Sequence, residues 1–170
     1  MDFVSLTTAE KHKEHLCTLR LRMSIFEKSY PKMAGKSCKE ILKLQIKRTE
    51  REAAASLRAD IRAHELYFDS FSSPNPNSPI IRRTYGSEAN FIYRLNRAAE
   101  ASDGFLFVMS DRRGVPVIRV CGDPLSAFLS DDHPILAVDL CEHAYFYDSF
   151  FDTSAYLRAA LLHLDLSKIK

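Results

Sequence analysis

Residues 134–145 read Pro-Ile-Leu-Ala-Val-Asp-Leu-Cys-Glu-His-Ala-Tyr, and this segment is the most informative part of the sequence. The apolar, partly β-branched run that ends at Asp139 predicts a buried strand finishing in a carboxylate. His143 follows four residues later, so a helical turn after the strand would place both side chains on one side. Asp139 alone is equally consistent with a helix cap. The stretch predicts a strand that delivers Asp139 to the protein interior.

The sequence before this strand is typical of a β-hairpin. Residues 105–109 and 115–120 are short apolar runs on either side of Asp-Arg-Arg-Gly at 111–114. Pro116 has no N–H to donate, so we expect it near the start of its strand or at a sheet edge. Residues 87–101 predict a helix capped by Ser87, and helical spacing returns at Tyr156, Leu157, Ala160 and Leu164. The second half therefore predicts a small antiparallel three-stranded sheet with helices.

The first half has the pattern of two packed helices. From Thr7 or Thr8 onward, apolar residues recur at steps of three and four, at Leu16, Leu19, Met23 and Phe26. Pro31 and Gly35 then turn the chain. Residues 40–71 contain neither Gly nor Pro, which indicates one or two helices that fold back on the first. We expect an N-terminal antiparallel helical hairpin.

A Pro- and Ser-rich segment marks the boundary between the halves. Residues 73–79 contain three prolines, which disfavour both helix and strand pairing. We therefore predict a helical hairpin over residues 1–72, a linker over 73–79 and a C-terminal α/β half over 80–170. The fold class predicted for the whole chain is α+β.

Composition narrows the range of partners. The 24 Lys and Arg residues nearly balance the 22 Asp and Glu residues, and the formal charge of +2 gives no reason to expect nucleic acid. No apolar run approaches the roughly 18 residues of a membrane span, and the N-terminus lacks a secretory signal pattern, so we expect a cytoplasmic protein without a membrane partner. The four cysteines form no CxxC pair and are expected to be reduced and buried.

Two histidines lie in phase with apolar helix faces. His64 keeps step with Leu57, Ile61 and Phe68, and His12 keeps step with Leu16, Leu19 and Met23. A single histidine in such a place is more often an ordinary core residue than a ligand. Buried imidazoles together with Asp139 are nevertheless costly unless hydrogen-bonded or metal-bound, and three nitrogens with one carboxylate suit a first-row ion that keeps an open position. His15, His133 and His163 are interpreted as surface or loop groups.

Three motifs carry a resemblance to a known family. Asp-Leu-Cys-Glu-His-Ala-Tyr at 139–145 closely resembles the D-x-W-E-H-A-Y signature of iron/manganese superoxide dismutases. His-Glu-Leu-Tyr-Phe at 64–68 resembles the H-x-x-F-Y/W ligand helix of that family, and Gly-Phe-Leu-Phe-Val at 104–108 resembles its G-W-x-W-L/V strand. The segment 36–41 is also similar, and counting back from it without gaps puts His12 at the first ligand position, with His15 as the alternative.

The resemblance extends from about His12 to Leu164 and implies one Fe or Mn ion held by His12, His64, Asp139 and His143. It implies conversion of superoxide to oxygen and hydrogen peroxide, with metal-bound solvent as a proton source. It also implies a homodimer, in which Glu142 orients His143 of the partner subunit.

Several positions depart from the pattern of the family. Arg20 stands at the position of the gateway Tyr, and Leu16, Cys141 and Phe146 replace a His, a Trp and a Tyr. The Gln that donates a hydrogen bond to the bound solvent is missing as well. Its iron-type position is Asp60, and its manganese-type position falls near residues 121–123, which contain no Gln.

These departures leave two hypotheses open. A carboxylate at the Gln position accepts a hydrogen bond instead of donating one, which would shift the metal potential. The first hypothesis is a divergent dismutase in which Arg20 attracts the superoxide anion. The second is a protein of the same fold with a metal-binding, structural or other redox role.

Overall fold

The computed structural model describes residues 3–100, 103–150 and 152–170 and shows an α+β fold. Three helices make up the N-terminal half: α1 (Leu6–Ser29), the short α2 (Cys38–Ile41) and α3 (Arg48–Ser70), with a 3₁₀ turn at Pro31–Met33. The hydroxyl of Ser5 accepts the N–H of Thr8, so Ser5 caps α1 instead of the Thr7 or Thr8 expected from the sequence. Residues 42–47 separate α2 from α3, and the run 40–71 is therefore not one continuous helix.

Helices α1 and α3 form the predicted antiparallel hairpin. Near the C-terminal end of α1, Glu27 accepts from Arg58 of α3 at 2.6 Å. Further back along α1, Arg20 pairs with Glu65, later in α3, at 2.9 Å. Because residue numbers fall along one helix as they rise along the other, the two run in opposite directions. This arrangement brings the beginning of α1 beside the last turns of α3.

The C-terminal half is a sheet surrounded by helices. The helices α4 (Pro79–Tyr85) and α5 (Glu88–Ala99) precede β1 (Phe105–Ser110) and β2 (Pro116–Cys121), and α6 (Leu125–Leu129) leads to β3 (His133–Asp139). The helices α7 (Phe146–Ser149) and α8 (Thr153–Leu162) follow, with 3₁₀ turns at Glu142–Ala144 and Leu166–Lys168. Within the described residues the strands form one antiparallel sheet in the order β2-β1-β3, as predicted.

The sheet places Asp139 beside a glycine that the fold requires. Phe105 of β1 pairs with Cys121 on one side and with Asp139 on the other. Just before β1, Gly104 has a φ of +88°, and a Cβ there would lie 2.4 Å from the carbonyl oxygen of Cys121. The Gly104 carbonyl accepts the N–H of Leu140 at 2.8 Å. The carbonyl of Gly104 thus holds the chain immediately after the carboxylate.

The Pro-rich segment differs from the prediction, because Pro79 begins a helix. Pro79 is the first residue of α4, and Ser78 caps that helix. A proline is tolerated at this position since the first N–H groups of a helix have no partner within it. The segment also packs on the chain terminus, where Asn75 exchanges backbone hydrogen bonds with Leu164 and Leu166. The division into 1–72, 73–79 and 80–170 remains a proposal.

The long helix α3 contributes to two apolar clusters. Leu57 and Ile61, near its middle, pack with α1 and α2, whereas Tyr67 near its end packs with the sheet and α8. Cys38 and Cys121 are buried as expected, but Cys17 is exposed on α1, so the expectation of buried thiols was wrong there.

Across the described ranges, no helix has both the length and the apolar character needed to cross a bilayer.

Candidate metal centre

Four side chains from distant parts of the chain converge at the junction of the two halves. His12, His64, Asp139 and His143 each offer a ligand atom, and these atoms all lie within 4.8 Å of one another. The Oδ2 atom of Asp139 is 3.1 Å from Nε2 of His12, 3.4 Å from Nε2 of His64 and 2.9 Å from Nε2 of His143. The structure thus brings together the four residues predicted from the sequence.

Each side chain is delivered by its own element. His12 projects from the inner face of α1 and His64 from the inner face of α3. Asp139 is the last residue of β3, and His143 lies in the 3₁₀ turn that follows. The side chains of His12 and Asp139 are 1% and 0% exposed, whereas that of His143 is 33% exposed. The cluster is therefore dry on the side of His12 and open to solvent on the side of His143.

The tautomer of His64 is fixed by the backbone of its own helix. Its Nδ1 lies 2.7 Å from the carbonyl oxygen of Asp60, an acceptor, so the proton is on Nδ1. Nε2 then carries a lone pair and points toward Nε2 of His143, 3.3 Å away. Burial lowers the pKa of His64 to about 4, outweighing the opposing attraction of Asp139. His64 is thus a neutral nitrogen donor at neutral pH.

Asp139 is held as an anion. Its Oδ1 accepts the backbone N–H of Cys141 at 2.8 Å, which turns Oδ2 toward the imidazoles. Burial alone would raise the pKa of this carboxyl, but the contacts with His12 and His143 outweigh it and hold the pKa well below its usual range. For His143 burial lowers the pKa, and the hydrogen bond with Asp139 reverses that and raises it. One carboxylate charge therefore faces three imidazole rings.

His12 is the residue that the protein alone does not satisfy. Both of its ring nitrogens are buried without a hydrogen-bond partner, because the 3.1 Å approach of Nε2 to Asp139 lacks hydrogen-bond geometry. An unsatisfied buried polar group costs about 1–3 kcal/mol. Donors that share one first-row ion at about 2.1 Å each lie no more than about 4.2 Å apart, which accommodates the measured separations from Oδ2. The donor set and the unpartnered Nε2 of His12 fit a first-row transition-metal ion.

Residues 76–170, just over half of the chain, match the family described as iron/manganese superoxide dismutases, C-terminal domain. The chain belongs to the iron/manganese superoxide dismutase family. The matched region includes Asp139 and His143. His12 and His64 lie outside it, so their place beside the other two rests on the structure.

Curated relatives in the superoxide dismutase family are distant. The protein named superoxide dismutase (Fe) 3, chloroplastic, of Arabidopsis thaliana is 26% identical over 116 residues, which cover 62% of this chain and 44% of that protein. Superoxide dismutase (Mn) 1 of Halobacterium salinarum is 29% identical over 103 residues, covering 56% of this chain and 52% of that protein. The chain thus spans about half the length of the relatives it matches.

A fifth histidine lies at this superoxide dismutase-like site, contrary to the interpretation of the sequence. His15 is half-buried and stacks on His143, with ring centroids 4.4 Å apart and planes at 23°. It also lies 5.0 Å from the ring of His64. The surface assignment of His15 was therefore wrong. His15 follows His12 by three residues, which places both near one face of α1. This spacing could have indicated that His15 lies at the site.

The elements that carry the donors also carry three positions that depart from the superoxide dismutase pattern. Arg20 is 54% exposed and paired with Glu65. Asp60 contacts the site through its carbonyl, and burial together with the nearby charge of Asp123 raises the pKa of its carboxyl to about 6. Cys141 contacts Asp139 through its backbone N–H, and burial raises the pKa of its thiol. The carboxyl of Asp60 thus lies close to that of Asp123.

Proposed function

We propose that this chain is a divergent superoxide dismutase with one Fe or Mn ion held by His12, His64, Asp139 and His143. The observation that carries the proposal is the convergence of three imidazoles on Oδ2 of a fully buried carboxylate. Nε2 of His12 is buried 3.1 Å from Asp139 without a hydrogen bond, and a bound metal ion would give this nitrogen a partner. The family relationship supports the same reading.

The residues of the chain would hold, orient and shield the metal. When bound, an Fe or Mn ion supplies the one-electron steps that convert two superoxide ions and two protons to oxygen and hydrogen peroxide. Asp139 offsets part of the positive charge of the site, and Asp60 fixes the His64 ring through its carbonyl. The rings of Tyr67 and Phe68 lie 4.5 Å and 5.0 Å from that of His12 and exclude water from its side of the site.

A second candidate is a metal-binding protein of the same fold without dismutase activity. Asp60 favours it, because the resemblance places Asp60 at a Gln position of the family and a carboxylate cannot donate the hydrogen bond of an amide. Arg20 gives the first candidate little support, since Glu65 already neutralises its charge. A metal centre with a shifted potential would bind the ion without turning over superoxide.

Metal analysis together with a superoxide assay separates the two candidates. We expect about one Fe or Mn per chain in the purified protein and measurable consumption of superoxide. His143→Ala should lose both, whereas His133→Ala, an exposed histidine at the start of β3, should lose neither. Stoichiometric metal without turnover would favour the second candidate. An unchanged metal content in His143→Ala would contradict the site itself.

The exposed side of the site suggests a homodimer, which we propose on three observations. Glu142 is exposed beside His143, which is itself one-third exposed. Next to them, Phe146, Tyr147 and Phe150 are 37%, 55% and 66% exposed. Aromatic side chains are enriched at protein interfaces. Light scattering should give twice the chain mass, and Glu142→Ala should lower it toward that of the monomer.

A cytoplasmic location also stays a proposal, testable by cell fractionation.

A further inference from the structure

The four donors are covered on their solvent side by an additional imidazole. His15 follows His12 by three residues on α1, but its ring lies against different partners. It stacks on His143 at 4.4 Å and lies 5.0 Å from His64, while the ring of His12 contacts the same two from 5.0 Å and 5.2 Å. His64 and His143 are therefore contacted by one imidazole from α1 on the buried side and by another on the exposed side.

The burial of His12 and His15 shows which of the two rings lies on the solvent side of the donors. His12 is fully buried and His15 is only half-buried, so His15 lies between the donor cluster and solvent. Of the four donors, His143 is the one with substantial exposure, at 33% of its side chain. His15 stacks on that ring. His15 therefore covers part of the exposed side of the donor cluster.

We infer that His15 is a positioning residue that covers the open side of the metal site and controls passage of small anions and of the ion itself. The inference rests on the proposed function, and it assigns a role to a residue that none of the family motifs in the sequence contains. Stacking of parallel rings at 4.4 Å restricts the ring plane of His143, and a ring at this position narrows the path to the donors. The cover acts through its shape, so another planar ring can supply it.

Two substitutions distinguish the effect of the His15 ring from any effect of its nitrogen atoms. His15→Ala removes the cover, whereas His15→Phe keeps a planar ring that can stack on His143 but has no donor atom. His133→Ala is the matched control, because it removes an exposed histidine at the far end of β3. In iron-loaded protein, His15→Ala should bind azide and lose iron to EDTA about tenfold faster than the unsubstituted protein. His15→Phe and His133→Ala should stay within about twofold of it.

A third measurement needs no bound ion. Diethyl pyrocarbonate acylates accessible imidazoles, and peptide mass spectrometry identifies the modified histidine. In full-length protein whose metal has been removed with EDTA, modification of His143 should be severalfold faster in His15→Ala and unchanged in His15→Phe and His133→Ala. Equal rates in His15→Ala and the unsubstituted protein would overturn the inference, as would His15→Phe behaving like His15→Ala. Failure to take up Fe or Mn would instead contradict the proposed function, and the labelling would still decide whether His15 covers His143.

Discussion

The hydroxyl of Tyr156 donates a hydrogen bond to the backbone carbonyl of Asp139, 2.8 Å away. This bond connects α8, near the end of the chain, to the last residue of β3 at the point where the carboxylate enters the site. The same hydroxyl lies 3.4 Å from that of Tyr67 on α3. Both tyrosines are buried, so water cannot replace the bond to Asp139.

Tyr156→Phe should destabilise the protein and loosen the site. The substitution leaves the buried carbonyl of Asp139 without this donor, at a cost of about 1–3 kcal/mol in the free energy of unfolding. Metal affinity should fall about tenfold because the carboxylate is less firmly placed. Urea denaturation and metal titration measure the two effects. Tyr93→Phe on α5, where the side chain is 62% exposed, should change neither by more than experimental error.

Metal binding should weaken as the pH falls from 8 to 5. A metal requires a neutral imidazole, and the pKa of His143 is raised above its usual value by Asp139, so a proton competes with the ion there. His64 has a pKa of about 4 and does not compete in this range. Below the pKa of His143, affinity should drop about tenfold per pH unit. Competition titrations from pH 8 to 5 measure this, and a constant affinity would contradict the prediction.

Asp60→Asn should stabilise the protein at neutral pH. The pKa of the Asp60 carboxyl is raised to about 6 when folded, so the folded state holds this proton more tightly than the unfolded chain does. Stability attributable to this group therefore falls as the pH rises from about 4 to 6. We expect Asp60→Asn to gain about 1–2 kcal/mol at pH 7.5 and almost nothing at pH 4.

Urea denaturation at both pH values measures that difference. Glu10→Gln is the matched control, since Glu10 is exposed on α1 and its substitution should have no effect at either pH. An Asp60→Asn variant that is equally stabilised at pH 4 and pH 7.5 would show that packing, and not charge, is responsible.

Gly104→Ala should be far more damaging than Gly114→Ala. Both glycines have positive φ values, +88° and +78°, and an alanine costs about 1–2 kcal/mol in such a conformation. At Gly104 the added Cβ would also lie 2.4 Å from the carbonyl oxygen of Cys121, whereas at Gly114 nothing lies within 4 Å. We expect losses of at least about 3 kcal/mol and about 1 kcal/mol, respectively, in thermal or urea unfolding. Equal losses would contradict the close approach.

The sequence predicted those features that depend on local periodicity or on a specific motif. The phase of His12 and His64 on their helices, the strand ending at Asp139 and the hairpin at 111–114 are local properties, and the structure agrees with each. The stacking of His15 on His143 depends on where the turn after β3 docks against α1, which no local pattern reveals. The helix α4 was missed because Pro79 was interpreted only as a helix breaker.

Because α3 packs in both apolar clusters, the two halves of the molecule depend on each other for stability. A fragment that begins at residue 73 would lose Tyr67 and Phe71, which are 0% and 3% exposed against the sheet side of the protein. The remaining fragment would expose to water the apolar surface against which those two rings pack. We therefore expect the chain to melt in one transition, and expression of either half by itself to yield aggregates.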